Sequence, residues 1–461
     1  MKKLGFVLSA MAIITGCQQA AEKQVAYTTD STMVRLLTLD PGHFHAALVQ
    51  KINYPDIDTN VHVYAPEGGG LDAYLALIKQ YNTRETDPTR WNEIVYSGND
   101  FAEKMLQDLK GNVVVLSGNN RLKTDYIQRS VNAGLNVLAD KPMAIDQANF
   151  SRLEKAFENA SAKSVLLYDI MTERSEITNI LQKELMHIPE LFGELKKGSE
   201  KEPAVFIESI HYFYKQVSGK PLVRPDWFFD PVQQGDAIAD VGTHLVDLIQ
   251  WQCFPDQALD YHKDIDVYGG RIWPTPLTPR QFFAVTGKKE YPNFLSPYIV
   301  KDSVLNTHAN GEMNYKIKDV HAKIIARWDY KAEEGGDSHY AIMKGTKANL
   351  EIKQTKEENF KPVLYILPAD EKGSPAFDSS VHAAISKISA KYEGVSAEKT
   401  GSKWKVVIPA KFDVGHEAHF GEVMVRYLQY LKDGKLPDWE VPNMIAKYYT
   451  TTKALELAGG K

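Results

Sequence analysis

Two patterns of apolar and polar positions alternate along the chain from residue 33 onward. Short continuous apolar runs at residues 34–39 and 113–116 predict buried parallel strands, because such strands meet the core on both faces. Runs with helical spacing follow them, as at residues 126–133, and the next apolar run lies at 135–139. This repeated order of strand, turn and helix predicts an α/β domain with a parallel sheet.

The pattern changes beyond residue 260. Apolar runs at 323–328 and 340–345 predict strands separated by long insertions. Helical spacing returns at residues 417–433 and 445–457. The second part of the chain is therefore predicted to mix strands and helices.

The N-terminus carries a separate signal. A positive start is followed by an apolar stretch at residues 4–15, which is too short to span a hydrocarbon core of about 30 Å comfortably. The stretch ends in Ile-Thr-Gly-Cys17, which resembles the bacterial lipobox, where the cysteine is lipidated. We expect a lipoprotein signal peptide at 1–17 and a polar tether at 18–32. An ordinary signal peptide or a buried helix is the alternative.

This interpretation predicts a location. Gln18 follows Cys17 where inner-membrane retention would need an aspartate, so the outer membrane is favoured, with the protein facing the periplasm or the cell surface. The lipid would be the only membrane contact. Lipidation of Cys17 would leave Cys253 alone, so no intramolecular disulfide is expected.

Composition narrows the class of protein. The chain has 461 residues, of which 43% are hydrophobic and 25% charged, as in folded globular proteins of more than one domain. The net charge is −5, and the basic residues are scattered. Nucleic acid is therefore not an expected partner, because no basic face is available to neutralise its phosphates.

The turn after the first strand has part of a dinucleotide-binding pattern. Gly42 aligns with the middle glycine of that pattern, but Asp40 and His45 stand at the first and last glycine positions. We predict that the turn binds a dinucleotide through Gly42, His43, Phe44 and His45. A plain strand–turn–helix unit without nucleotide is the alternative.

Further cofactor contacts are predicted at the carboxyl ends of the next strands. Glu67, soon after the strand at 61–65, is a candidate for binding the ribose hydroxyls, although a surface glutamate is the alternative. No basic residue lies beside it in the sequence to meet a 2′-phosphate, which favours NAD over NADP. Ser117, Asn119 and Asn120 form the polar turn after the strand at 113–116, where ligands of parallel sheets bind.

Two motifs carry a resemblance to a known family. The strand at 135–139 runs into Asp140-Lys141-Pro142, and Asp240-Val-Gly-Thr-His244-Leu-Val-Asp247 follows downstream. This order resembles the Gfo/Idh/MocA family of NAD(P)-dependent sugar oxidoreductases, whose first motif is usually Glu-Lys-Pro. The resemblance implies a Rossmann domain at 33–160 and an α+β domain with a large, mostly antiparallel sheet at 161–461. It also implies cofactor contacts at Asp140 and Lys141 and assembly into a homo-oligomer.

The same resemblance implies a catalytic set of Lys141, Asp240 and His244. In a helix, Asp240, His244 and Asp247 share one face. A neutral imidazole suits removal of a hydroxyl proton, so His244 is the predicted base, and the Lys141 ammonium would stabilise the developing alkoxide. Asp240 would orient the substrate or the imidazole, and Asp247 would position the helix. A helix with a solvated acidic face is the alternative.

Aromatic and polar residues before this helix suit a sugar, which presents apolar C–H patches beside hydroxyls. The predicted substrate residues are His211, Tyr212, Arg224 and Trp227, although sheet and loop packing explains them equally well.

These inferences favour a carbohydrate-active, NAD-dependent oxidoreductase acting on a mono- or oligosaccharide. A lipoprotein faces a compartment where free nicotinamide is scarce, so we expect tightly bound, internally recycled NAD. One alternative is an NAD-dependent glycoside hydrolase, lyase or dehydratase that works by transient oxidation and elimination. Another is a non-catalytic carbohydrate-binding lipoprotein. A metal hydrolase using Asp40, His43 and His45 is disfavoured, and no metal is predicted, because the sequence shows no convincing further ligand motif.

Overall fold

Six parallel strands form the first sheet of the protein. The computed structural model describes residues 33–217, 220–301, 303–370 and 372–459. The predicted signal peptide, Cys17 and the tether lie outside these residues. The strands are β1 (Leu36–Leu39), β2 (Asn60–Ala65), β3 (Asn92–Ser97), β4 (Val113–Leu116), β5 (Asn136–Asp140) and β6 (Leu167–Ile170), in the order β3-β2-β1-β4-β5-β6. Every residue of β1, β4 and β6 is buried, which explains the apolar runs of β1 and β4, whereas β6 contains Asp169, which pairs with Lys447.

Helices connect these strands: α1 (His45–Leu48), α2 (Gly69–Thr83), α3 (Phe101–Asp108), α4 (Lys123–Asn132) and α5 (Gln147–Lys163). The sequence predicted a helix from residue 43, but α1 begins at His45. The His43 N–H donates to the Ser117 carbonyl in the turn after β4. The strand order reverses between β1 and β4, and ligands of such sheets bind in the crevice at this point.

A second, larger sheet follows. The later strands of the chain are β7 (Val205–Tyr214), β8 (Gln216–Val217), β9 (Lys220–Pro221), β10 (Ile265–Pro274), β11 (Ile299–Val300), β12 (Val304–Leu305), β13 (His308–Ile317), β14 (Val320–Lys331), β15 (Ser338–Lys344), β16 (Ala348–Gln354), β17 (Val363–Pro368), β18 (Ser396–Thr400) and β19 (Lys403–Val407). Nine of them form one sheet in the order β10-β13-β14-β7-β15-β16-β17-β19-β18. The β14–β7 pair is parallel and the other pairs are antiparallel.

The remaining helices are α6 (Ile177–Met186), α7 (Pro231–Gln234), α8 (Ala237–Cys253), α9 (Tyr261–Asp264), α10 (Pro279–Thr286), α11 (Pro375–Lys391), α12 (His416–Asp433) and α13 (Glu440–Leu457). Helix α8 packs closely on the second sheet at Gly242, which has no side chain. A Cβ added at this position would lie only 2.7 Å from Met313 Cε. Asp236 caps its N-terminus by accepting a hydrogen bond from the Ile238 N–H at 3.0 Å.

The two C-terminal helices return to the first sheet. Phe420 and Tyr427 of α12, and Tyr448 of α13, belong to the apolar core around the parallel strands. The chain therefore folds its last segment against its first domain. Within the described residues, no helix has both the length and the apolar composition needed to cross a bilayer.

Candidate active site

A cavity of about 340 Å³ lies at the carboxyl ends of β1, β2 and β4, where the strand order reverses. This volume falls within the usual range for a small-molecule site. Predicted cofactor residues in its lining are Gly42, Glu67 and Asn119. The lining also includes the apolar side chains Phe101, Leu71, Leu122 and Tyr126 and the cation Arg121.

Backbone segments approach each other closely at this cavity. A Cβ on Gly118 would lie 2.1 Å from the Asp40 carbonyl oxygen, and one on Gly70 would lie 3.1 Å from Gly42 Cα. The absence of side chains at Gly118 and Gly70 therefore lets the backbone segments around the cavity pack in direct contact, and these segments form a backbone-lined cradle.

Asp40 departs from the glycine pattern but keeps its conformation. Its φ is 51°, in the left-handed region that glycine favours and aspartate tolerates. Burial raises the pKa of its carboxyl to about 6, although the nearby Lys123 ammonium works in the opposite direction. The cradle fits a dinucleotide, and protonation of Asp40 would remove a charge that repels its phosphates.

Lys141 and Asp240 form the centre of the site, next to this cradle. Lys141 Nζ donates to Asp240 Oδ1 at 2.6 Å and to the Asp240 carbonyl at 3.3 Å. Burial works to lower the pKa of Lys141, but the carboxylates of Asp240 and Asp140 outweigh it and raise that pKa above its ordinary value. Burial works to raise the pKa of Asp240, but Lys141 outweighs it, so both groups are charged.

His244 lies one helical turn after Asp240 on α8, as predicted from their spacing. Its Nδ1 atom is buried and has no hydrogen-bond partner among the described residues. Burial, followed by the charges of Lys141 and His416, holds the pKa of the imidazole well below its usual range. The side chain is therefore neutral at physiological pH, and its surroundings make it a weaker base than a free imidazole.

A second cluster lies beside Lys141. Asp140 Oδ2 accepts a hydrogen bond from Ser117 Oγ at 3.0 Å and is hydrogen-bonded to His45 Nδ1 at 2.9 Å. His43 Nδ1 lies 3.8 Å from the same oxygen. Burial works against ionisation of Asp140, but the histidines and Lys123 outweigh it and lower its pKa. These predicted cofactor residues are thus partners of one another and do not line the cavity.

The turn after β4 joins the two domains. Asn119 Nδ2 donates to Gln233 Oε1 at 2.8 Å, and Asn120 Nδ2 donates to the Gln234 carbonyl at 2.7 Å. The amides of these predicted cofactor residues therefore hold α7 of the second domain. Phe44, in contrast, is 43% exposed and does not line the cavity, and its ring packs on those of His43 and His45, with centroid distances of 4.7 and 4.5 Å.

The predicted substrate residues separate into three environments. His211 faces the α8 side of the sheet, where its Nδ1 is hydrogen-bonded to Asp337 Oδ2 at 3.0 Å and its ring packs on Trp328. Tyr212 points to the opposite face, because successive strand residues alternate, and pairs there with Asp329. Trp227 lies at the cavity between β1, β2 and β4, where a Cβ on Gly42 would come within 3.8 Å of its ring.

Arg224 has a largely structural set of contacts. Its guanidinium donates to the backbone carbonyls of Phe213 at 2.9 Å and Tyr212 at 3.0 Å. It also stacks on the rings of Phe228 and Trp328. The side chain therefore fixes the end of β7 next to the site.

Asp247 positions α8 through a buried ionic network. Arg174 donates two hydrogen bonds of 2.7 Å to its carboxylate, and Lys447 Nζ lies 2.8 Å from it. Arg174 also pairs with Glu440 at 2.9 Å, and Lys447 with Asp169 at 2.8 Å. The network joins α8 to α13 and to the short helix after β6, which agrees with the positioning role predicted for Asp247.

Sequence reasoning missed several residues near the site. Arg121 lies in the same cavity as Glu67, so the folded site contains a basic side chain although none lies beside Glu67 in the sequence. Its position directly after the polar turn at 117–120 was an available signal. Asp337 and His416 come from distant segments, and no local pattern marks them.

A family model described as "Putative oxidoreductase C terminal domain" matches residues 181–459, which is more than half of the chain. The chain belongs to this oxidoreductase family. A crystal structure described as "a putative oxidoreductase" from Parabacteroides merdae has 52% sequence identity and a TM-score of 0.91, covering 93% of this chain and 98% of that chain.

Other solved structures share the fold of the oxidoreductase at low identity. KijD10, a 3-ketoreductase from Actinomadura kijaniata in complex with NADP and TDP-benzene, has 12% identity and a TM-score of 0.54, covering 93% of this chain and 98% of its own. Biliverdin reductase from Synechocystis, in complex with biliverdin and NADP+, has 11% identity and a TM-score of 0.53, covering 92% and 99%. No match was found among curated proteins. The predicted fold class is confirmed, with a parallel Rossmann-type sheet followed by a large, mostly antiparallel one.

Proposed function

We propose that this oxidoreductase uses a nicotinamide dinucleotide to oxidise a hydroxyl group of a mono- or oligosaccharide. The observation that carries the proposal is the Lys141–Asp240 ion pair, with Nζ to Oδ1 at 2.6 Å, next to a neutral His244 and the dinucleotide cradle. A binding module has no need for an ammonium beside a neutral base.

The cradle and cavity suit the cofactor by chemistry and shape. Gly42 would admit the pyrophosphate, Glu67 would accept hydrogen bonds from the ribose hydroxyls, and apolar side chains would cover the adenine. When bound there, the nicotinamide ring supplies the hydride acceptor.

Side chains of the protein would transfer the proton and stabilise the developing charge. His244, held neutral by burial, would accept the hydroxyl proton. The Lys141 ammonium would stabilise the negative charge that develops on the same oxygen. Asp240 would keep Lys141 charged and hold its Nζ in place through the 2.6 Å hydrogen bond.

Retention of the cofactor is also part of the proposal. Trp227 lies against the cavity, and Gln233 and Gln234 of α7 bind the turn after β4. A dinucleotide bound in the cavity would lie beside these contacts between the domains. We expect them to slow its release, which favours a resident cofactor that is regenerated within each catalytic cycle.

A second candidate function is transient oxidation followed by elimination, as in a glycoside lyase or hydrolase. The His211–Asp337 pair favours it, because it adds an oriented imidazole whose charge acts on Asp240. Elimination needs a second acid or base for the leaving group. Products of lower mass than the oligosaccharide substrate would distinguish this function from simple oxidation.

The location is proposed on the sequence alone. A lipid on Cys17 would anchor the protein to a bacterial membrane, with the outer membrane favoured by Gln18. Metabolic labelling with a palmitate analogue should modify the full chain but not a Cys17→Ala variant. Labelling of both chains, or of neither, would contradict the anchor.

The central experiment measures resident nucleotide and its reduction. Protein purified without added cofactor is denatured, and the released nucleotide is identified by mass spectrometry. The intact protein is then mixed with a panel of mono- and oligosaccharides while absorbance of the reduced nicotinamide is followed.

Lys141→Met should keep the nucleotide and lose about 10²- to 10⁴-fold in the rate of reduction, as expected for loss of a group that stabilises the transition state. Lys163→Met, an exposed lysine at the end of α5, is the matched control and should react normally. A chain that neither contains nor binds nicotinamide nucleotide would overturn the proposal and favour a carbohydrate-binding lipoprotein.

A further inference from the structure

Two imidazoles and a carboxylate converge beside the first turn of the parallel domain. His43 and His45 flank a single residue, and their ring centroids lie 4.1 Å apart with the planes nearly perpendicular. Asp140, at the carboxyl end of β5, faces both. One side-chain nitrogen or oxygen of each residue lies within 4.8 Å of the others.

We propose that His43, His45 and Asp140 bind a divalent first-row transition-metal ion such as Zn²⁺. The cluster offers two imidazole nitrogens and one carboxylate oxygen, a donor set that suits such ions. His45 Nδ1 and His43 Nδ1 lie 2.9 and 3.8 Å from Asp140 Oδ2. These distances bracket the separation of about 3.3 Å between ligands of a tetrahedral zinc ion, given Zn–N bonds of about 2.0 Å.

A structural role for Asp140 does not account for both histidines. The carboxylate is hydrogen-bonded to His45, but His43 Nδ1 is beyond hydrogen-bonding distance from it. The contact to His43 Nδ1 within the turn is a long one of 3.4 Å from the His45 N–H. The second imidazole is thus held beside the carboxylate without a strong bond of its own.

The surrounding groups are compatible with a cation. Two ammonium groups are near, but each has its own oxygen partner, since Lys123 donates to the Asp140 carbonyl at 3.0 Å and Lys141 to the Asp240 carboxylate. Ser117 Oγ donates to Asp140 Oδ2 and would orient the carboxylate, as outer partners of metal ligands commonly do. Three protein ligands would leave a position open for water or a substrate oxygen.

The test is metal binding by the full, tag-free chain after dialysis against a chelator. Calorimetric titration with Zn²⁺ should show one ion per chain, and Co²⁺ should show visible absorption bands typical of low coordination with nitrogen ligands. Absence of saturable Zn²⁺ binding would overturn the inference. Binding of one ion per chain without visible Co²⁺ absorption bands would overturn it as well.

Variants locate the ion. His43→Ala and Asp140→Asn should each weaken binding more than about 100-fold, because even outer partners of metal ligands contribute about 10- to 100-fold. His62→Ala, on β2, is the histidine control and should bind normally. Urea midpoints identify any variant that fails to fold, and His43→Ala is expected to keep its fold since it breaks no bond to Asp140. Unchanged binding in His43→Ala would place the ion elsewhere and refute the site.

This inference does not rest on the proposed function. Nucleotide is measured by mass spectrometry in the same samples. A chain that holds nucleotide but no metal overturns the metal site alone, whereas a chain that binds metal but no nucleotide overturns the proposed function alone.

Discussion

Replacement of Asp40 by asparagine should stabilise the protein at neutral and alkaline pH but not at acid pH. The side chain is largely buried at the first turn of the parallel domain, where burial raises its pKa from an ordinary 3.8 to about 6. The folded state therefore holds this proton more tightly than the unfolded state does. Stability contributed by the protonated form is fully present below pH 3.8 and is lost as pH rises through 6.

The size of the effect follows from the shift. A difference of one pKa unit corresponds to about 1.36 kcal/mol, so the buried carboxylate costs the folded state about 3 kcal/mol at pH 8. Asparagine removes the titration and keeps the geometry, because it tolerates the φ of 51° that this position requires. The Asp40→Asn variant should therefore gain up to about 3 kcal/mol at pH 8 and almost nothing at pH 4.

Urea unfolding followed by circular dichroism at pH 4 and pH 8 measures this difference. Asp87→Asn is the matched control, since Asp87 is exposed and has nearly the same backbone angle, φ 49°. Its substitution should not produce a pH-dependent change of this kind. An equal gain for Asp40→Asn at both pH values would refute the role of the titrating carboxyl, and so would no gain at pH 8.

Three further predictions concern the buried network and the cavity. Arg174→Met should lower the free energy of unfolding by about 3–5 kcal/mol, because the buried Asp247 and Glu440 carboxylates would each lose their guanidinium partner. Lys197→Met removes an exposed ion pair with Asp319 and should leave the urea midpoint unchanged. Gly118→Ala should lower the free energy of unfolding by about 1–3 kcal/mol, since its methyl group would lie 2.1 Å from the Asp40 carbonyl oxygen, and urea unfolding should show no such loss for Gly336→Ala, where nothing lies within 4 Å. Trp227→Ala should speed nucleotide dissociation in stopped-flow measurements, because the ring forms one wall of the cavity, and an unchanged rate would contradict that role.

Local sequence patterns predicted four of the six strands of the first sheet, β1, β2, β4 and β5. Most residues of these strands are buried, so their apolar runs are visible along the chain, and the predicted and observed bounds differ by only a few residues. Strand β3 was not predicted, since none of its side chains is buried. The start of α1 was less predictable. The His43 N–H, two residues before α1, donates to the Ser117 carbonyl in the turn after β4, and no local pattern reports such a contact.

The placement of individual side chains was harder to predict. Trp227 precedes the α8 motif in the chain, yet it packs against the glycine turn of the other domain. Tyr212 and His211 are neighbours in sequence, but strand geometry sends them to opposite faces of the sheet. The metal cluster pairs residues almost one hundred positions apart, so its carboxylate could not be chosen from spacing alone.

The order of the elements follows from the amino-acid sequence, because buried strands and helix faces impose periods that are visible along the chain. Lys141 and Asp240 were expected from the resemblance of their two motifs to those of a known family. The tertiary structure alone decided which polar groups meet, since the contacts of Arg121, Asp140 and Asp247 arise between segments that are distant in the chain. Their burial and charge, and hence their pKa values, depend on neighbours that only the packed domains bring together.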